Sequence, residues 1–234
     1  GRFFRRWRVF GRRRSFVRLV MRKKDPAVLS SASHKRIADA IRTAEKSTCG
    51  EIYCVLARES DSYLFAAAFV VTVAILITSF ILSIVEAWWL SVRMPVFLYA
   101  QILAIACALL IVALFPNIRI NLVPRRLRYK RAHQAAIKQF LGRNVHLTAE
   151  RTGVLIFVSL AERYAEIVAD AGIDAKVDQA AWNEIVRELV EDARKDRLTD
   201  GFVTAIEKAG VILAQHFPPR HLNPNELDDH LVEI

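Results

Sequence analysis

The chain is poor in cysteine. Cys49, Cys54 and Cys107 are the three in 234 residues, too few for a disulfide-framed secreted module. It has no G-x-x-x-x-G-K-[ST] phosphate loop, no G-x-G-x-x-G fingerprint and no G-x-S-x-G elbow, so the common sequence signatures of nucleotide binding and of serine hydrolysis are missing. No two cysteines have the short spacing of a zinc site, and His216 and His221 straddle Pro218 and Pro219. Charge is missing from two long stretches, residues 62–85 and 94–118, of 24 and 25 residues. Outside its first residues the chain also lacks a net charge. Residues 1–25 hold eleven of the 34 Lys and Arg and one of the 24 acids, and the other 209 residues hold 23 of each, so the net +10 belongs to the N-terminal arm. A generally basic nucleic-acid-binding domain is therefore excluded as the first reading.

What is present begins with those two apolar stretches. A helix crossing a hydrocarbon core of about 30 Å needs about 20 apolar residues, and both stretches are long enough. Neither has the polar stripe of a helix buried in a soluble core. The connection between them, Glu86 to Arg93, is short, and its Trp88 and Trp89, with Tyr99 nearby, suit a lipid–water interface. A transmembrane helical hairpin is expected over 62–118. Arg119, Arg125, Arg126, Arg128, Lys130 and Arg131 follow the second span, and the basic arm precedes the first, whereas Arg93 is the one basic residue between them. The positive-inside rule then puts both flanks in the cytoplasm, and the protein is expected in a bacterial inner membrane with both termini cytoplasmic. The same placement keeps Cys49 and Cys54 reduced.

The arm, residues 1–30, interleaves Arg with Phe, Trp and Val. Phe3, Trp7, Phe10, Val17 and Met21 recur at helical spacing. This reads as an amphipathic helix on an anionic leaflet, with Arg5, Arg6, Trp7, Arg12, Arg13 and Arg14 at the surface. RNA binding, a transit peptide and a solvated arm are the rival readings, and lipid ranks above nucleic acid because membrane spans follow.

The flanks of the hairpin, residues 31–61 and 119–218, read as one α/β domain cut in two, with an acidic tail over 219–234. Ser33 is placed to cap a helix from His34 to Lys46. Glu51–Ala57 is rich in strand formers. Pro124 precedes a basic helix that ends at Gly142. The unbroken apolar stretch 153–160 predicts a strand buried on both faces, and 163–170 should pair with it antiparallel after a short turn. Residues 169–178, ADAGIDAKVD, read as a loop. Asp178 can cap a helix to Arg194 with Trp182, Ile185, Val186 and Leu189 facing inward, and a last helix runs from Thr199 to Phe217 until Pro218 and Pro219 stop it.

The segments AEKSTCGEIYCVLA, RTGVLIFVSLAERYAEIVADAGI and DGFVTAIEKAG, in this order, with HFPP and NEL near the C-terminus, resemble the TPM domain family. The likeness is greatest to its bacterial membrane branch, where two spans interrupt the domain after its first strand. The resemblance implies an α/β fold with a small mixed sheet sandwiched by helices. It also implies a range of roles. Some members are acid phosphatases that bind a divalent metal through acidic loops, and others act in photosystem repair or as receptor-associated membrane proteins.

From the residues themselves, the candidate for chemistry is acidic. Asp170, Asp174 and Asp178 are four apart, Glu59 and Asp61 follow the first strand, and Asp200 starts the last helix. If these converge, they offer the oxygen ligands that Ca²⁺ or Mg²⁺ require, and a metal there would polarise a phosphoryl oxygen. The plainer reading keeps Asp174 solvated, Asp178 as a helix cap and Asp170 as the end of a hairpin. Cys49, Cys54 and Trp182 read as core residues, and Glu51 as an acceptor for local backbone donors. Two functions follow: a membrane-anchored cytoplasmic scaffold or accessory factor for other membrane proteins, and a divalent-metal-dependent phosphatase at the membrane surface.

Overall fold

The computed structural model describes residues 28–89, 94–148, 151–219, 227 and 229–234. The basic arm, with Arg5, Arg6, Trp7, Arg12, Arg13 and Arg14, lies outside the described residues. The chain divides into two compact units, residues 1–60 with 132–234, and residues 61–131.

The first unit is built on a four-stranded sheet. Strand β1, Glu51–Ala57, and strand β2, Gly153–Ser159, are buried at every position, as their largely apolar composition predicts for strands covered on both faces. They run parallel, with Glu51 opposite Gly153 and Ala57 opposite Ser159. Strand β3, Tyr164–Ala169, returns antiparallel on the outer side of β2. Strand β4, Leu231–Glu233, lies parallel to β1 on its other side, so the order is β3-β2-β1-β4. The residues read as the end of an acidic tail thus include a strand. Three residues are too few for any alternation to announce it, and it exists because β1 offers an open edge.

Helices cover both faces of this sheet. Helix α1, Ser31–Glu45, is capped by Ser30, whose hydroxyl accepts from Ser33 N at 3.1 Å. The cap lies one turn before the expected Ser33, because the two serines act together as cap and third residue, their hydroxyls 3.0 Å apart. Ile37, Ile41 and Ala44 of α1 pack on Ile52, Cys54, Leu56, Val154, Ile156 and Val158. Two further helices join this layer, numbered here after those of the second unit: α7, Gln179–Arg194, and α8, Leu198–His216. Asp178 caps α7 as the sequence predicts, accepting from Ala180 N at 3.2 Å. Trp182, Ile185 and Leu189 of α7 and Phe202, Ile206 and Leu213 of α8 complete the core. A Cβ at Gly210 of α8 would meet Ala44 Cβ at 2.7 Å, so the absence of a side chain there sets how closely α8 approaches α1. On the opposite face Tyr53, Val55, Ala57, Leu155 and Phe157 meet Ala136, Phe140 and Val145.

The second unit is the hairpin. Helix α2 is Leu64–Trp89 and α3 is Met94–Leu114. Leu64–Ile84 and Pro95–Leu114 each have a mean hydropathy of 2.6 and are almost wholly unburied within the protein. They are long and apolar enough to cross a membrane, and their surface is open: Phe65 is 87% exposed, Phe69 70% and Phe80 67%. Helix α2 continues to Trp89, into the stretch read as a connection. Helix α3 stops at Leu114, short of the expected Ile118. Pro116 has no N–H and restricts the residue before it, and Phe115 leaves the helical region with φ −118 and ψ 88. A short helix α4, Pro116–Leu122, follows. Arg119 of α4 reaches back so that its Nε donates to Val112 O at 2.7 Å and its Nη2 to Ala113 O, satisfying carbonyls at the end of α3. Helix α5, Arg125–Gly142, begins in this unit and ends in the other.

Candidate functional site

Each end of the sheet gathers polar groups, and the strand directions decide which residues share an end. β1 and β2 are parallel, so their N-termini lie together, and antiparallel β3 brings its C-terminus to the same end. There the Asp170 N–H donates to Gly153 O at 3.0 Å. Gly153 has no room for a side chain, since a Cβ would lie 2.1 Å from Val145 O.

Asp170 caps a one-turn helix, α6, Ala171–Asp174, in place of the expected loop. Its Oδ1 accepts from Ala171 N at 2.6 Å. The residue is 8% exposed, and its Oδ2 is buried with no hydrogen-bond partner among the described residues. Asp174 is exposed on the same turn. Glu59 lies beyond the other end of β1, separated from Asp170 by the length of a seven-residue strand, roughly 20 Å. The structure therefore does not bring Glu59 to Asp170. Asp61, in the hairpin unit, pairs with Arg131 Nε at 3.3 Å. Asp178 is spent as a cap, and Asp200 pairs with Arg36 at 2.8 Å. Among the described residues no three His, Cys, Asp or Glu side chains gather to hold a metal ion. A hard cation takes six or more oxygens; of the predicted acids, the structure brings Asp170 and Asp174 together on one turn.

An open pocket of about 470 Å³ lies nearby, lined by Cys49, Gly172, Lys176, His216, Phe217, Pro218 and Pro219. Lys176 Nζ sits 4.5 Å from the Phe217 ring centroid, a cation–π contact. The Phe217 carbonyl accepts from Cys49 N at 3.1 Å and from the Thr48 hydroxyl at 2.7 Å, closing α8 onto the turn into β1.

Sequence reasoning missed a carboxyl cluster at the start of β1. Glu45, at the end of α1, accepts from Ile52 N at 2.9 Å. Its pKa is raised from the ordinary 4.5 to about 8, first by burial and then by the charges of Glu51 and Asp229 and a hydrogen bond with Asp229, against the lowering effect of the Ile52 N–H. Asp229 in turn accepts from Arg42 Nε at 3.2 Å. Glu51 is 4% exposed. The one sequence signal was two glutamates bracketing the turn before β1; Asp229 gave none. Burial pushes the Cys54 thiol up, with the Glu45 charge adding to it, which makes Cys54 a core residue and a poor nucleophile.

At the other end, Glu162 is buried in the turn between β2 and β3. It accepts from Ser60 N at 2.8 Å and from the Ser159 hydroxyl, and Ser60 Oγ donates to Ser159 Oγ at 2.9 Å. This serine–serine–carboxylate chain fastens the exit of β1 to the hairpin turn. On the outer face, His133 Nδ1 of α5 lies 2.9 Å from the Glu166 carboxylate, to which the Tyr164 hydroxyl also donates at 2.9 Å. The Glu166 hydrogen bond raises the His133 pKa against the desolvation that lowers it.

Residues 117–212 match the model of the TPM domain family, in line with the resemblance read from the sequence. No curated protein matches the chain. An NMR structure of the BA42 protein from the psychrophilic bacterium Bizionia argentinensis is similar at TM-score 0.56 and 21% identity, over 90% of this chain and 98% of that one. At that identity the likeness shows the fold, a mixed sheet with helices on both faces.

Proposed function

We propose that this protein is a membrane-anchored TPM-like module that serves as a scaffold or accessory factor for other membrane proteins. The observation that carries the reading is the hairpin: two helices of mean hydropathy 2.6 that the rest of the protein leaves almost wholly uncovered. Apolar side chains such as Phe65, Phe69 and Phe80 face outward, where lipid tails and the helices of other membrane proteins supply the matching surface. The basic residues from Arg119 to Arg131 put the α/β unit in the cytoplasm by the positive-inside rule. Membranes washed with alkaline carbonate should retain the full chain, and protease added to intact spheroplasts should cut neither polar flank. Extraction by carbonate overturns the anchor, and cleavage from outside overturns the sidedness. Cross-linking in native membranes should then join the chain to specific membrane proteins; its absence would end the scaffold reading.

A second reading, a divalent-metal-dependent phosphatase, has one observation in its favour: the buried Asp170 Oδ2, without a hydrogen-bond partner among the described residues, beside the exposed Asp174. Buried carboxylate oxygens without partners are costly, and Ca²⁺ or Mg²⁺ is a partner of the right chemistry. Calorimetry on the full chain in detergent should give a heat of cation binding that Asp170→Asn abolishes. No heat, or the same heat from the variant, removes this reading.

A further inference from the structure

We infer that the first turns of α5 form a binding surface for the headgroups of anionic phospholipids, with Arg126 and Lys130 as the contact residues. The inference rests on the reading that α2 and α3 cross a bilayer, and it names the lipid that the base of that hairpin selects.

The charge pattern of the hairpin unit is one-sided. From Met94 to Arg131 there are six Lys and Arg and no acid. The six are not equivalent. Arg119 is committed to the carbonyls of Val112 and Ala113, and Arg131 to Asp61. Arg125 and Arg128 have partners as well. Arg126 and Lys130 are exposed, and among the described residues no carboxylate pairs with either. They stand four apart on α5, so they share one face, an arrangement of like charges that disfavours the helix unless an anion lies against it. The first turn of α5 has no acidic residue to moderate them.

Their place in the fold matches the charge. Pro116 ends α3, and α4 packs against both α2 and α3. The basic turns therefore start eleven residues after Leu114, at the base of the hairpin where the chain leaves its apolar part. If α3 crosses the hydrocarbon, that base lies at the depth of the headgroups. Arg and Lys can lay their aliphatic stems along the apolar surface and hold the charge among phosphates. A cluster of basic residues next to a span gains affinity for anionic lipid with each charge and loses it as salt screens the surface. The connection at the opposite end of the hairpin holds one base, Arg93, and one acid, Glu86, so it offers no such preference.

The test uses the full chain in a nonionic detergent, titrated with short-chain phosphatidylglycerol or phosphatidylcholine, with bound lipid measured by native mass spectrometry. The wild type should retain phosphatidylglycerol over phosphatidylcholine, and added salt should weaken the preference. Arg126→Gln with Lys130→Gln should lower the affinity for phosphatidylglycerol by about fivefold for each charge removed. Arg126→Lys with Lys130→Arg should leave it unchanged. Lys35→Gln with Lys195→Gln, two exposed lysines of the α/β unit, serves as the reference for losing any two charges. Equal retention of the two lipids, no effect of salt, no loss in the α5 variant, or an equal loss in this reference variant each overturns the inference. So does retention of RNA instead of lipid by the same two side chains. Carbonate extraction of the α5 variant separates this from the anchor. A variant that stays in the membrane without its lipid preference locates the contact in α5, whereas extraction of the wild type overturns the spanning hairpin itself.

Discussion

Glu45 holds its proton because its surroundings oppose the charge. Burial is the largest influence, and Glu51 and Asp229 add like charges. The unfolded chain releases this proton near pH 4.5 and the folded chain near 8. Between those values the folded state binds more protons than the unfolded one, so the stability tied to Glu45 is complete below pH 4.5 and falls as pH rises to about 8. Glu45→Gln keeps an oxygen for Ile52 N and cannot ionise. Melting curves across this window should show a flatter pH dependence for the variant and a higher melting temperature at pH 8. An unchanged slope would mean that Glu45 ionises normally. None of this was legible in the sequence, where Glu45 is one more acid in a polar helix; its burial is created by the sheet and by Asp229 from the far end of the chain. Cys54 is the contrasting case. Its place inside EIYCVLA already assigned it to the core, and burial raises its pKa accordingly.

At the scale of elements, β4 shows how a three-residue strand is held. Its backbone pairs with β1, and Ile234 N donates to Leu56 O at 3.0 Å. Its side-chain anchor is Glu233, which accepts from Val28 N at 2.6 Å and Leu29 N at 2.9 Å and meets His34 Nε2 at 3.0 Å. Desolvation pushes the Glu233 carboxyl up, but these donors together outweigh it, and the pKa lies below its ordinary 4.5. The anchor is therefore complete above pH 4.5 and is lost as pH falls through the lowered value. Glu233→Gln turns an amide toward one of these donors. Loss of charge-assisted hydrogen bonds of about 1.5–3 kcal/mol each should speed hydrogen exchange at the Ile234 amide at least tenfold while leaving β2 protected. Equal protection in the variant would show that strand pairing alone holds β4. The elements that depend on local signals were readable: β1 from its strand-forming residues, β2 from continuous apolar residues, α7 from Asp178, the end of α5 from Gly142. The end of α3 was readable in principle, since Pro116 marks it, but apolar composition continues past the proline and hides the break. α6 and β4 were not readable, because one turn of helix and three residues of strand have no period of their own.

The two units of the molecule meet a single topological requirement. Parallel strands need a crossover of a dozen residues or more, and β1 and β2 are parallel neighbours. The segment between them, residues 58–152, contains both apolar helices and α5. A hairpin inserted there interrupts no strand pairing and no core helix, which is why a domain can be cut behind its first strand and still fold. The sequence by itself determined the hairpin, the charge asymmetry around it, the strands β1 to β3 and the family likeness, because each is written in a run of neighbouring residues. The tertiary structure alone decided which acids meet. Strand direction sends Asp170 and Glu59 to opposite ends of the sheet, and chain closure brings Asp229 to Glu45. Proximity across the fold depends on register and topology, and neither is a local property of the chain.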